Sequence, residues 1–178
     1  MRGHDTVIVS PNGARAPAIG YPVSSRKPPQ ISYRPIIMKS TLKPGLTHAF
    51  KFTIPPDKTV PYLYPESDLF REMPQVLATG FMVGLLEWAC VEALRPHLDW
   101  PAEQTLGTHV NFSHEAATPP GMTVTVNVKL TEVDGRKLRF EVEASDGLDI
   151  ISRGSHERFV IDAARFRKKI DEKSARAG

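Results

Sequence analysis

The stretch "ATGFMVGLLEWACVEAL", residues 78–94, is apolar almost throughout, yet carries Glu87 in its middle. From Val76 to about Leu98 the pattern predicts one helix. A helix that is apolar nearly all round is buried on most sides. An unpartnered carboxylate is costly to bury, so Glu87 calls for a partner or a task. Gly80 and Gly84 form a GxxxG pair of the kind that packs membrane helices. The run, however, only just reaches the length of a span and holds a charge at its centre. The segments around it read as strands of water-exposed character, so no membrane span is expected. The two glycines are then read as letting a sheet, a loop or a ligand come close.

Working outward, "HAFKFTIPP" sets Ala49, Lys51 and Thr53 against His48, Phe50, Phe52 and Ile54, the period of a half-buried strand. "DKTVPYLYPESDLFREMP" follows, rich in proline and aromatics, and reads as a long structured loop of the functional kind. Beyond the helix, residues 107–115 alternate again. "MTVTVNVKLTEVDGRKLRFEVEASDGLDIISRGSHERFVI" supplies three more strands, with "VDGR" and "SDGL" as hairpin turns. The order is one strand, one long helix, then four strands of antiparallel meander. A curved sheet wrapped around a central helix satisfies it, an α+β hotdog arrangement. A lone sheet leaves edges to cover, so a homodimer is expected.

Residues 1–37 contain prolines at 11, 17, 22, 28, 29 and 35 and no apolar period, and read as a disordered extension. Residues 38–166 form the expected hotdog domain; "AARFRKKIDEKSARAG" reads as a short, charged terminal helix that frays, with 167–178 as a charged tail. Met38 reads as the natural start, or the extension as dispensable. The formal charge of +3 and the pI of about 9.1 do not imply nucleic acid. Residues 1–37 hold five cations against Asp5, a balance of +4, which leaves −1 for the body. No secretory signal is apparent. Cys90 is the lone cysteine, which precludes an internal disulfide and fits a reducing, cytoplasmic setting. It reads as a core thiol and not a nucleophile, since no activating base adjoins it.

Strand alternation puts Leu106, Thr108, Val110, Phe112 and His114 on one face, expected to look toward the helix. Gly107, His109, Asn111 and Ser113 take the other. His114 is thereby aimed at the layer of Glu87. His109 and His114 point opposite ways, and no Cys/His spacing resembles a zinc site, so no metal is expected. Thr79 lies two turns before Glu87, about 12 Å along the axis, so it is not a same-turn partner. Each residue alone admits a structural role: a core histidine, a buried ion pair or dimer contact, a helix cap. A carboxylate and an imidazole converging on one layer favour a site. No Gly-x-Ser-x-Gly elbow is present. For an acyl transfer that leaves nucleophilic Glu87, or water activated by Glu87 or His114.

The segments "TVPYLYPES", "VLATGFMVGLLEWACVEAL", "LGT", "SHEAATPPGMTVTV", "VDGRKL", "ASDG" and "GSHERFVI" together resemble the fluoroacetyl-CoA thioesterase family of hotdog enzymes. The similarity runs from about Met38 to Phe166 in constant order. It implies a homodimer that hydrolyses a short acyl-CoA thioester, with no cofactor beyond the coenzyme A of the substrate. It implies catalytic roles for Thr79, Glu87 and His114, a backbone facing the thioester carbonyl at Gly107, and a lining arginine at Arg158. Of the family's two lid phenylalanines, Phe70 matches the first, while Met73 stands at the second. Methionine fills the same gap more flexibly, which bears on selectivity for fluorine. Two other readings follow: a thioesterase for another small acyl-CoA, motivated by Met73, and a non-catalytic acyl-CoA binding module, which would not need the Thr79, Glu87 and His114 set. A hotdog dehydratase lacks its usual Asp/Asn-His constellation here.

Overall fold

The computed structural model describes residues 35–177. The extension expected at 1–37 therefore lies, for 1–34, outside the described residues. Five strands form one antiparallel sheet: β1 (Thr47–Thr53), β2 (Glu103–Phe112), β3 (Thr123–Asp134), β4 (Lys137–Ser145) and β5 (Ile150–Asp162). Their spatial order is β1-β3-β4-β5-β2. The helix α2 (Thr79–Leu94) joins the two edge strands, and a short α1 (Asp68–Arg71) sits in the loop before it. This is the hotdog arrangement.

The alternation that marks the strands is the alternation that fills the core. Val124, Val126, Val128 and Leu130 of β3 and Leu138, Phe140, Val142 and Ala144 of β4 point inward. They meet Met82, Leu85, Leu86, Ala89, Cys90, Ala93 and Leu94 of α2. Gly135, with φ of +53°, takes the first loop position of the β3–β4 hairpin, a conformation that favours glycine.

Four expectations change. Only β3, β4 and β5 form a meander; β2 pairs with the far side of β5. The proline-bearing connection after β2 instead crosses to the other edge, where the Ile54 N–H donates to the Met122 carbonyl at 2.9 Å. The helix is not surrounded within one chain, because Gly80, Gly84 and Trp88 form an exposed stripe. Contacts begin before Met38: Ile36 packs on the core, and the Ile37 N–H donates to Glu103. The terminal segment is helical through Ala163–Ala177 (α3) and does not fray within that span.

Of the glycine pair, Gly80 admits a loop. An added Cβ there would lie 3.0 Å from Leu63 Cδ1, whereas at Gly84 nothing stands within 4 Å. Among the described residues no helix is long and apolar enough to cross a membrane. Phe140→Ala is expected to lower the unfolding free energy by about 3–5 kcal/mol. The exposed Leu148→Ala should change it by less than about 0.5 kcal/mol. Urea unfolding of both variants checks this.

Candidate active site

The site begins with an irregularity in β2. Gly107 pairs with Arg158 and His109 with Glu157, so Thr108 is an extra residue, a β-bulge. A bulge reverses the alternation beyond it. Thr105 and Gly107 face inward before it, and Val110 and Phe112, opposite His156 and Gly154, face inward after it. The expected single face is thus split: Leu106, opposite Phe159, and Thr108 belong to the outer side.

His114 lies two residues past the end of β2. It is held there because the flanking Ser113 and Glu115 N–H groups donate to the Arg153 and Ile151 carbonyls, each at 2.9 Å. The same connection pins the start of α2, where the Leu77 N–H donates to the Thr118 carbonyl at 2.8 Å. Thr79, the first residue of that helix, makes no capping bond. Its hydroxyl is instead hydrogen-bonded to His114 Nδ1 at 2.8 Å.

Glu87 belongs to a second group. Arg158 is buried, 4% exposed, and its Nη1–H donates to Glu87 Oε1 at 3.2 Å. Its Nε–H donates to Thr105 Oγ1 and its Nη2–H to the Thr105 carbonyl, both at 2.9 Å. Nη1 also stands 2.9 Å from His156 Nε2. His156 Nδ1 lies 2.7 Å from the His109 carbonyl, which can only accept, so Nδ1 carries the proton and Nε2 accepts from Arg158. The 3.3 Å approach of Nε2 to Glu87 is then a meeting of two acceptors and not an ion pair. Burial of the ring holds His156 below the ordinary histidine range, against the opposite pull of the His109 carbonyl. Burial likewise lowers Arg158, opposed by Glu87.

Glu87 itself is not engulfed: its side chain is 36% exposed. The carboxylate expected to be buried sits at the rim, and the buried charge is the arginine. Gly107 lies against it so closely that an added Cβ would collide with Glu87 Oε1 and stand 3.1 Å from His156 Cε1. A side chain there would have to push the Glu87 carboxylate aside.

One chain therefore brings Thr79 to His114, and Glu87 to Arg158 and Gly107. It keeps the two groups about two helical turns apart. Phe70 packs edge-on against Tyr64 with ring centres 5.6 Å apart. Met73 is 48% exposed, and its N–H donates to the Phe70 carbonyl at 3.2 Å. The loop carrying both is clamped at its base, where Val60 N–H donates to Val76 O at 3.0 Å and Ala78 N–H to Lys58 O at 3.1 Å. Cys90 is fully buried, and burial pushes its thiol up to about 12. Sequence reasoning missed His156 and Thr105. Alternation in "GSHERFVI" carried the signal for the first, since His156, Arg158 and Val160 share one face.

A pH dependence follows from His156. Its folded pKa lies below the unfolded value of about 6.5, so the unfolded chain binds the proton more readily. The stability is present above that value and is lost as pH falls toward the depressed one. Unfolding free energy is expected to drop between pH 7 and pH 5, by at most about 1.4 kcal/mol per pH unit from this group. Denaturant titrations of wild type and His156→Gln check it, with a shallower drop in the variant.

A sequence model described as "Fluoroacetyl-CoA-specific thioesterase" matches residues 63–164. A fluoroacetyl-CoA thioesterase of Streptantibioticus cattleyicolor is 51% identical over 137 residues, 77% of this chain and 98% of the relative. Among solved structures, a threonine-to-alanine variant of a fluoroacetyl-CoA thioesterase with fluoroacetate bound matches with a TM-score of 0.72 at 51% identity. That match covers 74% of this chain and 98% of the other. A Thermus thermophilus hypothetical protein of the thioesterase superfamily matches at 26% identity and a TM-score of 0.67, over 76% and 95% of the two chains. With more than half its length matched by the family model and a curated relative covered almost end to end, the chain belongs to the fluoroacetyl-CoA-specific thioesterase family.

Proposed function

We propose that the protein hydrolyses fluoroacetyl-CoA to fluoroacetate and coenzyme A, with water as the second reactant and one proton released. One observation carries the reading: an accessible Glu87 carboxylate, fixed by the buried Arg158, lies against the backbone of Gly107. Glu87 acts at the thioester carbonyl, either attacking it or deprotonating the water that does. The Gly107 N–H stabilises the developing oxyanion. His114, oriented by its bond to Thr79, passes the proton to the leaving thiolate. Phe70 and Met73 close over the acyl group. No metal and no further cofactor take part.

The working unit is a homodimer in a reducing, cytoplasmic setting. The exposed run Gly107–Asn111 on the edge strand β2 and the open stripe of α2 support pairing. The distance between Glu87 and the Thr79–His114 pair within one chain supports a site built from two copies. Mixing inactive His114→Ala and Glu87→Gln chains tests this, since mixed dimers then hold one intact site in two. Recovery of about a quarter of wild-type activity is expected for random re-pairing; no recovery would place the groups in one chain.

Selectivity is the delicate part. Fluorine differs little in size from hydrogen, and fit to such small changes is worth only about 1–3 kcal/mol. The half-exposed Met73 favours a second reading, a thioesterase for other small acyl groups. The test is kcat/KM for fluoroacetyl-CoA against acetyl-CoA, with Met73→Phe beside the wild type. A clear preference for the fluorinated thioester, widened in Met73→Phe, is the expected result. Equal values would establish the second reading. Glu87→Gln and His114→Ala, folded and dimeric, are expected to lose at least about 100-fold in kcat; wild-type turnover in either would sink the assignment. CoA-thioester binding without turnover in the wild type would establish the binding-module reading.

A further inference from the structure

One buried titratable group has no task in that hydrolysis, the imidazole of His156. The ring is fully buried. Arg158 approaches it from its own strand, and Glu87 approaches it from α2. Cys90 of α2 lies near both charges, but burial keeps its thiol neutral. The register partners of His156 are Val110 of β2 and Phe140 of β4, which bring no charge. Glu157, one residue on, alternates to the other face, where Lys137 meets it at 3.0 Å. His109 stands opposite Glu157 in the β2–β5 register. Glu87 and Arg158 are therefore the charged groups that face the ring. Arg158 Nη1 carries two hydrogens. One goes to Glu87 Oε1 at 3.2 Å, the other to His156 Nε2 at 2.9 Å. The carboxylate is held through that one oxygen, and Glu87 Oε2 takes no hydrogen bond among the described residues.

We infer that His156 is a positioning residue for the reaction: as an uncharged acceptor it occupies the second Nη1 hydrogen of Arg158 and leaves Glu87 paired with one cation through one oxygen. The inference rests on the reading of Glu87 as the group that acts at a thioester carbonyl. The choice between acceptor and donor at Nε2 decides the state of that carboxylate. A proton on Nε2 would turn the acceptor into a donor. It would then face Arg158 Nη1 at 2.9 Å, donor against donor, and Glu87 Oε1 at 3.3 Å, cation against carboxylate. Glu87 would stand between two cations, and each added positive charge makes a carboxylate less basic. A less basic Glu87 is the weaker nucleophile or proton acceptor. Burial disfavours the charged ring and Arg158 repels it, against the pull of the His109 carbonyl and Glu87. The same carbonyl, 2.7 Å from Nδ1, keeps the single ring hydrogen on that nitrogen and Nε2 open as an acceptor. His109 follows the bulge at Thr108, so the irregularity in β2 reaches Glu87 through this ring.

His156→Gln keeps a neutral acceptor that does not titrate, and His156→Leu removes it. Both are compared with the wild type by kcat on the better of fluoroacetyl-CoA and acetyl-CoA, from pH 8 to pH 5, on protein shown to be folded at each pH. His156→Leu is expected to lose at least about tenfold in kcat at pH 8, and His156→Gln less. The deciding quantity is the ratio of His156→Gln to wild-type kcat. Glu87 and His114 are present in both proteins, so their own titrations cancel, and a purely structural role gives a ratio independent of pH. The ratio is expected to rise as pH falls below about 6.5, by about twofold or more at pH 5, as the wild-type ring takes its proton. A flat or falling ratio would overturn the inference, as would wild-type kcat in His156→Leu. If the wild type turns over neither thioester, the hydrolase reading fails, and the pairing is decided by side-chain ¹⁵N resonances, with the His156 signal identified by its absence in His156→Gln. An Arg158 guanidinium signal that shifts in step with the His156 titration would uphold it, and one indifferent to that titration would overturn it.

Discussion

The guanidinium of Arg158 is the demand that the rest of the site answers. A buried ion loses several kcal/mol of hydration, and recovers it only if its donors are met and its charge is balanced. Here Thr105 takes two of the donors, His156 Nε2 another, and Glu87 supplies the only carboxylate in the group. Each partner comes from a separate decision of the fold. Thr105 requires the β2–β5 register, His156 requires the Nδ1–H tautomer held by the bulge carbonyl, and Glu87 requires the rotation of α2. The charge in the middle of an apolar helix is therefore the counterpart of a charge on a strand far along the chain. Glu87 stays at the rim, where it balances Arg158 and still reaches solvent.

That arrangement joins stability to function. Removing Glu87 would leave a buried cation without its anion, so its loss touches the structure of the site as well as its chemistry. Gly107 shows the same coupling from the other side. Its missing side chain is what lets a backbone lie against the carboxylate, the contact on which the proposed mechanism relies.

Much of the fold was legible because burial writes itself as periodicity. The alternation in β1, β3 and β4 and the apolar run of α2 are direct images of the faces they bury. Topology was less legible, since no residue in "SHEAATPPG" states that the chain must cross to the opposite edge. The bulge left no compositional mark at all, and so half of one predicted face was assigned to the wrong side. His114 reaches the helix at Thr79 and not at Glu87, because Val110, Phe112 and His114 all lie beyond the irregularity and keep one parity among themselves. The openness of α2 escaped the sequence for another reason: an apolar run shows that a helix is to be covered and does not show how much of it its own chain covers.

The extra residue at Thr108 has an evolutionary corollary. Loops around a hotdog can lengthen or shorten by codons at little cost, because surface connections tolerate insertion. This strand can shed a residue too, at its bulge. Loss of the codon at 108 would set Gly107–Arg158 and His109–Glu157 as successive pairs and leave Thr105, Gly107, Val110 and Phe112 on the faces they hold now. What would go is the local bend and twist that a bulge adds to its strand. The length of β2 is thus tied to the shape of the strand beside Glu87 and not to its alternation, a requirement that no single side chain displays.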